Sequence, residues 1–168
     1  AADTAPALLA YRALVTIAGP EGQREIPLEA FFQGPGRTAL GPAEIVTAVR
    51  LPAPHSPQGW GYGRRTRTVM GSALGSSCVV LQATNGVCST VSVRRGAVGP
   101  VPIRAPRTEA VLEGQRPTAA LITEAGRVAA EEARPISDVR CSAAYRKDMV
   151  DVLTRRCVES ALHMLHLQ

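Results

Sequence analysis

The spacing of apolar residues has a strand-like period in the first half of the chain and a helical one at its end. Asp3 and Pro6 precede Leu8-Leu9, which predicts a helix with the aspartate as its cap and the proline in its first turn. Residues 13–17 and 24–27 flank Gly19-Pro20-Glu21-Gly22 and predict two strands joined by a turn. Residues 28–32 hold the only two phenylalanines and suit a helical turn, and 33–36 suit a loop. Residues 44–51, EIVTAVRL, are β-branched and half apolar, so they predict a strand. The proline-rich stretch 52–57 then marks the best boundary, dividing the chain into units 1–55 and 56–168.

The second unit begins with a strand edge at 59–64. Two β-branched runs, 74–83 and 87–93, flank Asn85-Gly86, the strongest short signal of a hairpin, because both turn residues tolerate positive φ. A two-residue turn there sets Cys88 opposite Ala83 and Cys78 opposite Val93. Residues 96–102 are rich in turn formers. Three helices follow, at 105–112 (stopped by Gly114), 118–133 (capped by Thr118) and 142–165 (capped by Ser142). The last carries an apolar stripe of Tyr145, Met149, Val152, Leu153, Cys157, Ala161 and Met164, expected to face the hairpin sheet with the Tyr145 ring largely buried. The fold class is α+β, with a short antiparallel sheet and a three-helix layer in the second unit.

Composition narrows the function. A chain of 168 residues with 45% hydrophobic residues buries roughly two thirds of its surface, which excludes wholesale disorder and makes a disulfide scaffold unnecessary. No apolar run reaches the roughly 20 residues of a membrane span, and AADTAPALLA lacks the basic start and apolar core of a signal peptide. The net charge of +5 is carried by arginine, Lys147 being the only lysine. The densest basic run, Arg64-Arg65-Thr66-Arg67, lacks the stripe of stacking aromatics that nucleic-acid binding needs, so no nucleic-acid partner is expected. Cys78, Cys88, Cys141 and Cys157 are widely spaced with no Cys-x-x-Cys. Four reduced thiols in a cytoplasmic protein are expected, with no metal site. No P-loop, dinucleotide fingerprint or nucleophile–base arrangement stands out.

Three stretches carry a resemblance. They are Phe31-Phe32-Gln33-Gly34-Pro35-Gly36-Arg37-Thr38-Ala39-Leu40 with Pro42-Ala43-Glu44-Ile45-Val46 and Leu51-Pro52; then Gly96-Ala97-Val98-Gly99-Pro100-Val101-Pro102-Ile103-Arg104-Ala105; then Arg134-Pro135-Ile136-Ser137-Asp138-Val139-Arg140 with Ser142-Ala143-Ala144-Tyr145-Arg146. In this order they resemble the flavoprotein (medium) subunit of molybdenum hydroxylases, the family of carbon monoxide dehydrogenase medium subunits and the FAD region of xanthine dehydrogenase. The resemblance implies that 1–55 is the second half of a PCMH/vanillyl-alcohol-oxidase-type FAD subdomain and that 56–168 is the family's C-terminal domain. It also implies that the N-terminal FAD half, with its glycine-rich phosphate loops, precedes residue 1. FAD would pass electrons from an iron–sulfur subunit to an acceptor, with molybdopterin in a further partner subunit.

Carried over position by position, the resemblance implies cofactor contacts at Asp3, as a carboxylate hydrogen-bond acceptor, at Val46, as an apolar surface, and within Tyr62-Gly63-Arg64, where Gly63 or Arg64 is the aligned position and Arg64 the residue that can carry charge. Two departures are visible. Gly71-Ser72-Ala73 stands where the family has Asp-x-Ala, and Cys141 stands where it has glycine, a replacement that a left-handed backbone would strain by roughly 1 kcal/mol. These departures keep an alternative open, a non-catalytic interaction or scaffold module that has lost flavin.

Overall fold

A computed structural model describes residues 3–54 and 57–167. His55 and Ser56, within the proline-rich stretch, lie outside the described residues, as do Ala1, Ala2 and Gln168. The architecture is mixed α/β with three antiparallel sheets and five helices among the described residues.

Helix α1 (Ala5–Ala10) opens the chain with Pro6 in its first turn. Its N-cap is Thr4, without a side-chain cap bond, and not Asp3 as the sequence pattern predicts. Strands β1 (Leu14–Gly19), β2 (Gly22–Pro27) and β5 (Ile45–Arg50) form a sheet in the order β2-β1-β5. Val15 and Ile17 of β1 are buried against Leu9, Ala13 and Leu28, the last at the start of α2 (Leu28–Phe31). The expected loop at 33–36 is a tight ribbon instead. Strand β3 (Phe32–Gly34) pairs with β4 (Arg37–Thr38), and the reversal uses Gly36 at φ 67°.

The second sheet runs β6 (Gly59–Arg65), β7 (Gly75–Thr84), β8 (Val87–Gly96) and β9 (Ile103–Arg104) in sequence order. Asn85 and Gly86 both adopt positive φ, 53° and 75°, in the hairpin turn. Cys88 faces Ala83 as expected, but the register then slips, and Cys78 faces Arg94 rather than Val93. A β-bulge at Ser89 causes the difference, since one extra residue on β8 shifts every later pair by one. All four cysteines are free.

Side chains of β7 alternate between two covered faces. Val79 and Leu81 join the main core with Cys157, Val158, Ala161 and Leu162 of α5 (Ala143–Met164), together with Ala125 of α4 (Ala119–Glu132) and Leu112 of α3 (Pro106–Leu112). Cys78 and Val80 face the other way, against Ala10 and Tyr11. Thr118 and Ser142 cap α4 and α5, accepting from Leu121 N and Tyr145 N at 3.2 Å each.

Helix α5 is rotated by about one residue from the predicted stripe. Arg146, Val150, Leu153, Thr154, Cys157, Val158, Ala161 and Leu162 are buried, whereas Tyr145, Met149 and Val152 are only half-buried and Met164 is exposed. The cause is polar. Arg146 donates to Leu74 O (2.6 Å), Ala97 O (3.1 Å) and both oxygens of Asp138 (3.0 Å), bonds that need it beneath the helix. Tyr145 keeps its expected hydroxyl bond, accepting from Arg65 Nε at 3.2 Å.

Candidate functional site

Strand β6 reads Gly-Trp-Gly-Tyr-Gly-Arg, a strict alternation. Its glycines face α5 so closely that a Cβ on Gly59 or Gly61 would run into the carbonyl oxygen of Ala161 or Cys157. That approach fixes the other face, where Trp60, Tyr62 and Arg64 stand together. Helix α1 lies on this side of the sheet, with Cys78, the partner of Tyr62 on β7, packed against it.

Asp3 and Arg64, 61 positions apart, meet here as an ion pair between Arg64 Nη1 and Asp3 Oδ2. The Tyr62 hydroxyl donates to the Asp3 carbonyl at 2.9 Å. Burial pushes the Tyr62 phenol above its ordinary pKa, and the Asp3 carboxylate acts in the same direction. The other carboxylate oxygen, Asp3 Oδ1, is buried without a hydrogen-bond partner. These groups border a cavity of about 420 Å³, whose remaining wall is Thr4, Ala7 and Leu8 of the α1 segment. Its lining joins an apolar wall to one carboxylate, one guanidinium and one phenol. Such a surface suits a flat aromatic ligand with a hydrogen-bonding edge, and the spare carboxylate oxygen suits an imide N–H or a hydroxyl.

Two of the three residues singled out from the sequence therefore converge. Val46 lies apart from them, half-buried on β5 opposite Ile17 and packed in the core of the first sheet. Tyr62 is a further member of the site, and the glycine alternation that places it on the face of Arg64 is its sequence signal. The helix-cap role of Asp3 is displaced by the Arg64 pair.

The two departures have clear structural outcomes. Residues 68–71 form an exposed turn, closed by Gly71 N donating to Thr68 O (3.0 Å), with Val69 and Met70 at 87% and 94% exposure. Cys141 does not adopt positive φ; among described non-glycine residues only Arg12, Asn85, Ala97 and His166 do. It pairs with Asp138 in an isolated bridge, so the expected strain is absent.

Residues 62–161 match the family model of the CO dehydrogenase flavoprotein C-terminal domain. The chain belongs to this family. Residues 1–54 match a second model, the FAD binding domain in molybdopterin dehydrogenase. Among relatives of this flavoprotein family, the carbon monoxide dehydrogenase medium chain of Afipia carboxidovorans is 34% identical over 93% of this chain and 54% of its own. The nicotine 6-hydroxylase medium subunit of Paenarthrobacter nicotinovorans is 35% identical over 92% and 54%. The chain thus spans about half the length of the curated relatives it matches. A crystal structure of Cu,Mo-CO dehydrogenase superposes with a TM-score of 0.90 at 31% identity, covering 96% of this chain and 57% of that one. The carbon monoxide dehydrogenase of Hydrogenophaga pseudoflava superposes with a TM-score of 0.92 at 28% identity, over 96% and 56%. No described helix is long and apolar enough to cross a membrane.

Proposed function

We propose that this chain is the C-terminal part of an FAD-binding medium subunit of a molybdenum hydroxylase, working in electron transfer. In this reading residues 1–55 complete the FAD subdomain and 56–168 form the C-terminal domain. The two family matches, at 1–54 and 62–161, support that division. The observation that carries the function is the meeting of Asp3, Tyr62 and Arg64 around an apolar wall, with one carboxylate oxygen buried and unpartnered.

The residues present fit a flavin edge. Asp3 Oδ1 would accept a hydrogen bond from the cofactor, while Arg64 holds the carboxylate in place and supplies positive charge, and Tyr62 fixes the start of α1 by anchoring the Asp3 carbonyl. Val46 is retained as a lesser apolar contact. When bound, FAD supplies chemistry that accepts and releases electrons singly or in pairs. The chain's own residues position it and shield one side from water. Electrons would arrive from a partner subunit's iron–sulfur clusters, and substrate would be handled by a molybdopterin subunit. A cytoplasmic setting accords with four free cysteines.

The test is flavin titration of the complete subunit, with the N-terminal FAD half joined to this chain. Asp3→Ala is expected to weaken FAD about tenfold, the loss of one charge-assisted hydrogen bond, while the second unit melts as in the parent. Unchanged FAD affinity would remove Asp3 from the site. The 168-residue chain alone is expected not to retain stoichiometric FAD, because diphosphates need cradles of backbone N–H groups that the family resemblance places ahead of residue 1. A yellow isolated chain would overturn that division of labour.

A further inference from the structure

At the other end of α1 from Asp3, the two units meet around a second cavity, of about 330 Å³. Its charged lining comes from both. Arg12 and Glu29 belong to the first unit, and Arg94, Arg104 and Glu109 to the second. Three guanidinium groups therefore face two carboxylates.

Glu109 is fully engaged. Its Oε1 accepts from Val93 N (2.9 Å) and Arg94 Nη1 (3.0 Å), and its Oε2 accepts from Arg104 Nε (2.6 Å). Glu29 approaches Arg94 Nη2 only to 3.8 Å, and its side chain is 61% exposed. Arg12 makes no ion pair with any described residue, although its backbone is held at φ 56°, a region that residues other than glycine enter at a cost. Two further donors are unused. Arg94 and Ser92 are each 6% exposed and line the cavity, yet Arg94 Nε and Ser92 Oγ are buried without partners. Burial pushes the Arg94 guanidinium below its ordinary pKa, and Arg104 and Arg12 push it the same way, against Glu109 and Glu29. A buried cation with spare N–H groups and a second, unpaired cation beside it forms a site short of negative charge.

We propose that this cavity binds a phosphate-class oxyanion, held by Arg12, Arg94 and Arg104 with Ser92 as a further donor. A tetrahedral oxyanion suits donors arriving from the α1 end, β8 and β9, whereas a carboxylate has oxygens in one plane only. Guanidinium groups are the side chains best matched to such a ligand. Because the arginines come from both units, a bound anion ties the units together. This site is independent of the flavin reading.

The same chemistry has two sources, free phosphate or a phosphate monoester on one hand and a free nucleoside diphosphate on the other. The test is calorimetric titration of the 168-residue chain with inorganic phosphate, in phosphate-free buffer at two salt concentrations. One saturable site per chain is expected, weakening as salt rises. Arg12→Asn, which keeps a side chain tolerant of the left-handed backbone, is expected to weaken binding about tenfold. Arg37→Asn, on exposed β4, is expected to leave it unchanged. A parallel titration with ADP separates the sources. ADP binding tighter than phosphate, and lost with Arg12→Asn, assigns the site to a diphosphate; ADP binding no tighter assigns it to phosphate or a monoester. Absence of saturable phosphate binding, or equal binding by wild type and Arg12→Asn, overturns the proposal.

Discussion

Strand β7 of the second sheet is buried over its first seven residues, with α5 on one face and α1 on the other. In the first sheet only central β1 holds fully buried residues, and β2 and β5 are mostly exposed, touching the core through Ile26 and Val46. Val49, directly opposite the buried Val15, is 46% exposed. The second sheet can therefore place charged groups inside its own packing, as with Arg146, Arg94 and Glu109. The first holds its flanking strands with ion pairs on the surface, Arg24–Glu44 and Arg50–Glu25. Polar groups of the same kind thus carry unequal stability in the two regions, because desolvation sets what losing a partner costs.

The sharpest way to break this contrast is Arg146→Ala. It takes from the Leu74 and Ala97 carbonyls the guanidinium that donates to both beneath α5, while Asp138 keeps its pair with Arg140, and a loss of about 3 kcal/mol is expected, read by thermal or urea unfolding. Its neighbour makes the control, since Tyr145→Ala should cost only about 1 kcal/mol, the ring being half-buried. Equal costs would mean that the helix presents the other face to the sheet.

Next in size is Gly61→Ala. The added methyl meets the Cys157 carbonyl, and helix backbone cannot step aside as a side chain can. A loss of about 1–3 kcal/mol is expected, with β6 and α5 amides exchanging faster. Gly22→Ala in the first unit lacks any such neighbour and isolates the pure backbone effect of its φ of 115°.

The smallest effect concerns acid. The Glu44 carboxylate, bonded by Arg24 and by Gly41 N, is held down to about 2 from its ordinary 4.5. A group whose folded pKa is depressed stabilises above its unfolded pKa and loses that contribution as pH falls through the folded one. The first sheet should therefore loosen between about pH 4.5 and pH 2, a change that hydrogen exchange of β2 and β5 amides follows. Glu44→Gln should narrow that loss in the first sheet, leaving the part carried by Glu25 paired with Arg50, and leave β7 and β8 unaffected. A flat wild-type profile would show that the pair contributes nothing there.

Much of the architecture is legible locally. Asn85-Gly86, Gly114, Thr118 and Ser142 all act where turn and cap chemistry puts them. What escaped was set at long range. The bulge at Ser89 changes the partner of Cys78, and no residue at that position announces it. The rotation of α5 follows from Asp138 and two carbonyls recruiting Arg146, a demand invisible to a pattern that counts arginine as solvent-facing. The same bias hides Arg94 and Glu109. In the candidate site, Asp3 and Arg64 were accessible through family resemblance, but their mutual pairing was not, because it joins residues 61 positions apart. Tyr62 was signalled by the alternating glycines.

Those glycines have one more consequence. At Gly59 and Gly61 no side chain stands between β6 and α5 to absorb displacement, since carbonyls of Ala161 and Cys157 lie directly against their bare Cα positions. Tyr62 and Arg64 project from the same strand on its opposite side. A shift of the helix is thus delivered to Tyr62 and Arg64 without a cushion, and they pass it on to the carbonyl and the Oδ2 of Asp3. Residues of α5 that never approach the cavity therefore set how tightly its edge is tuned.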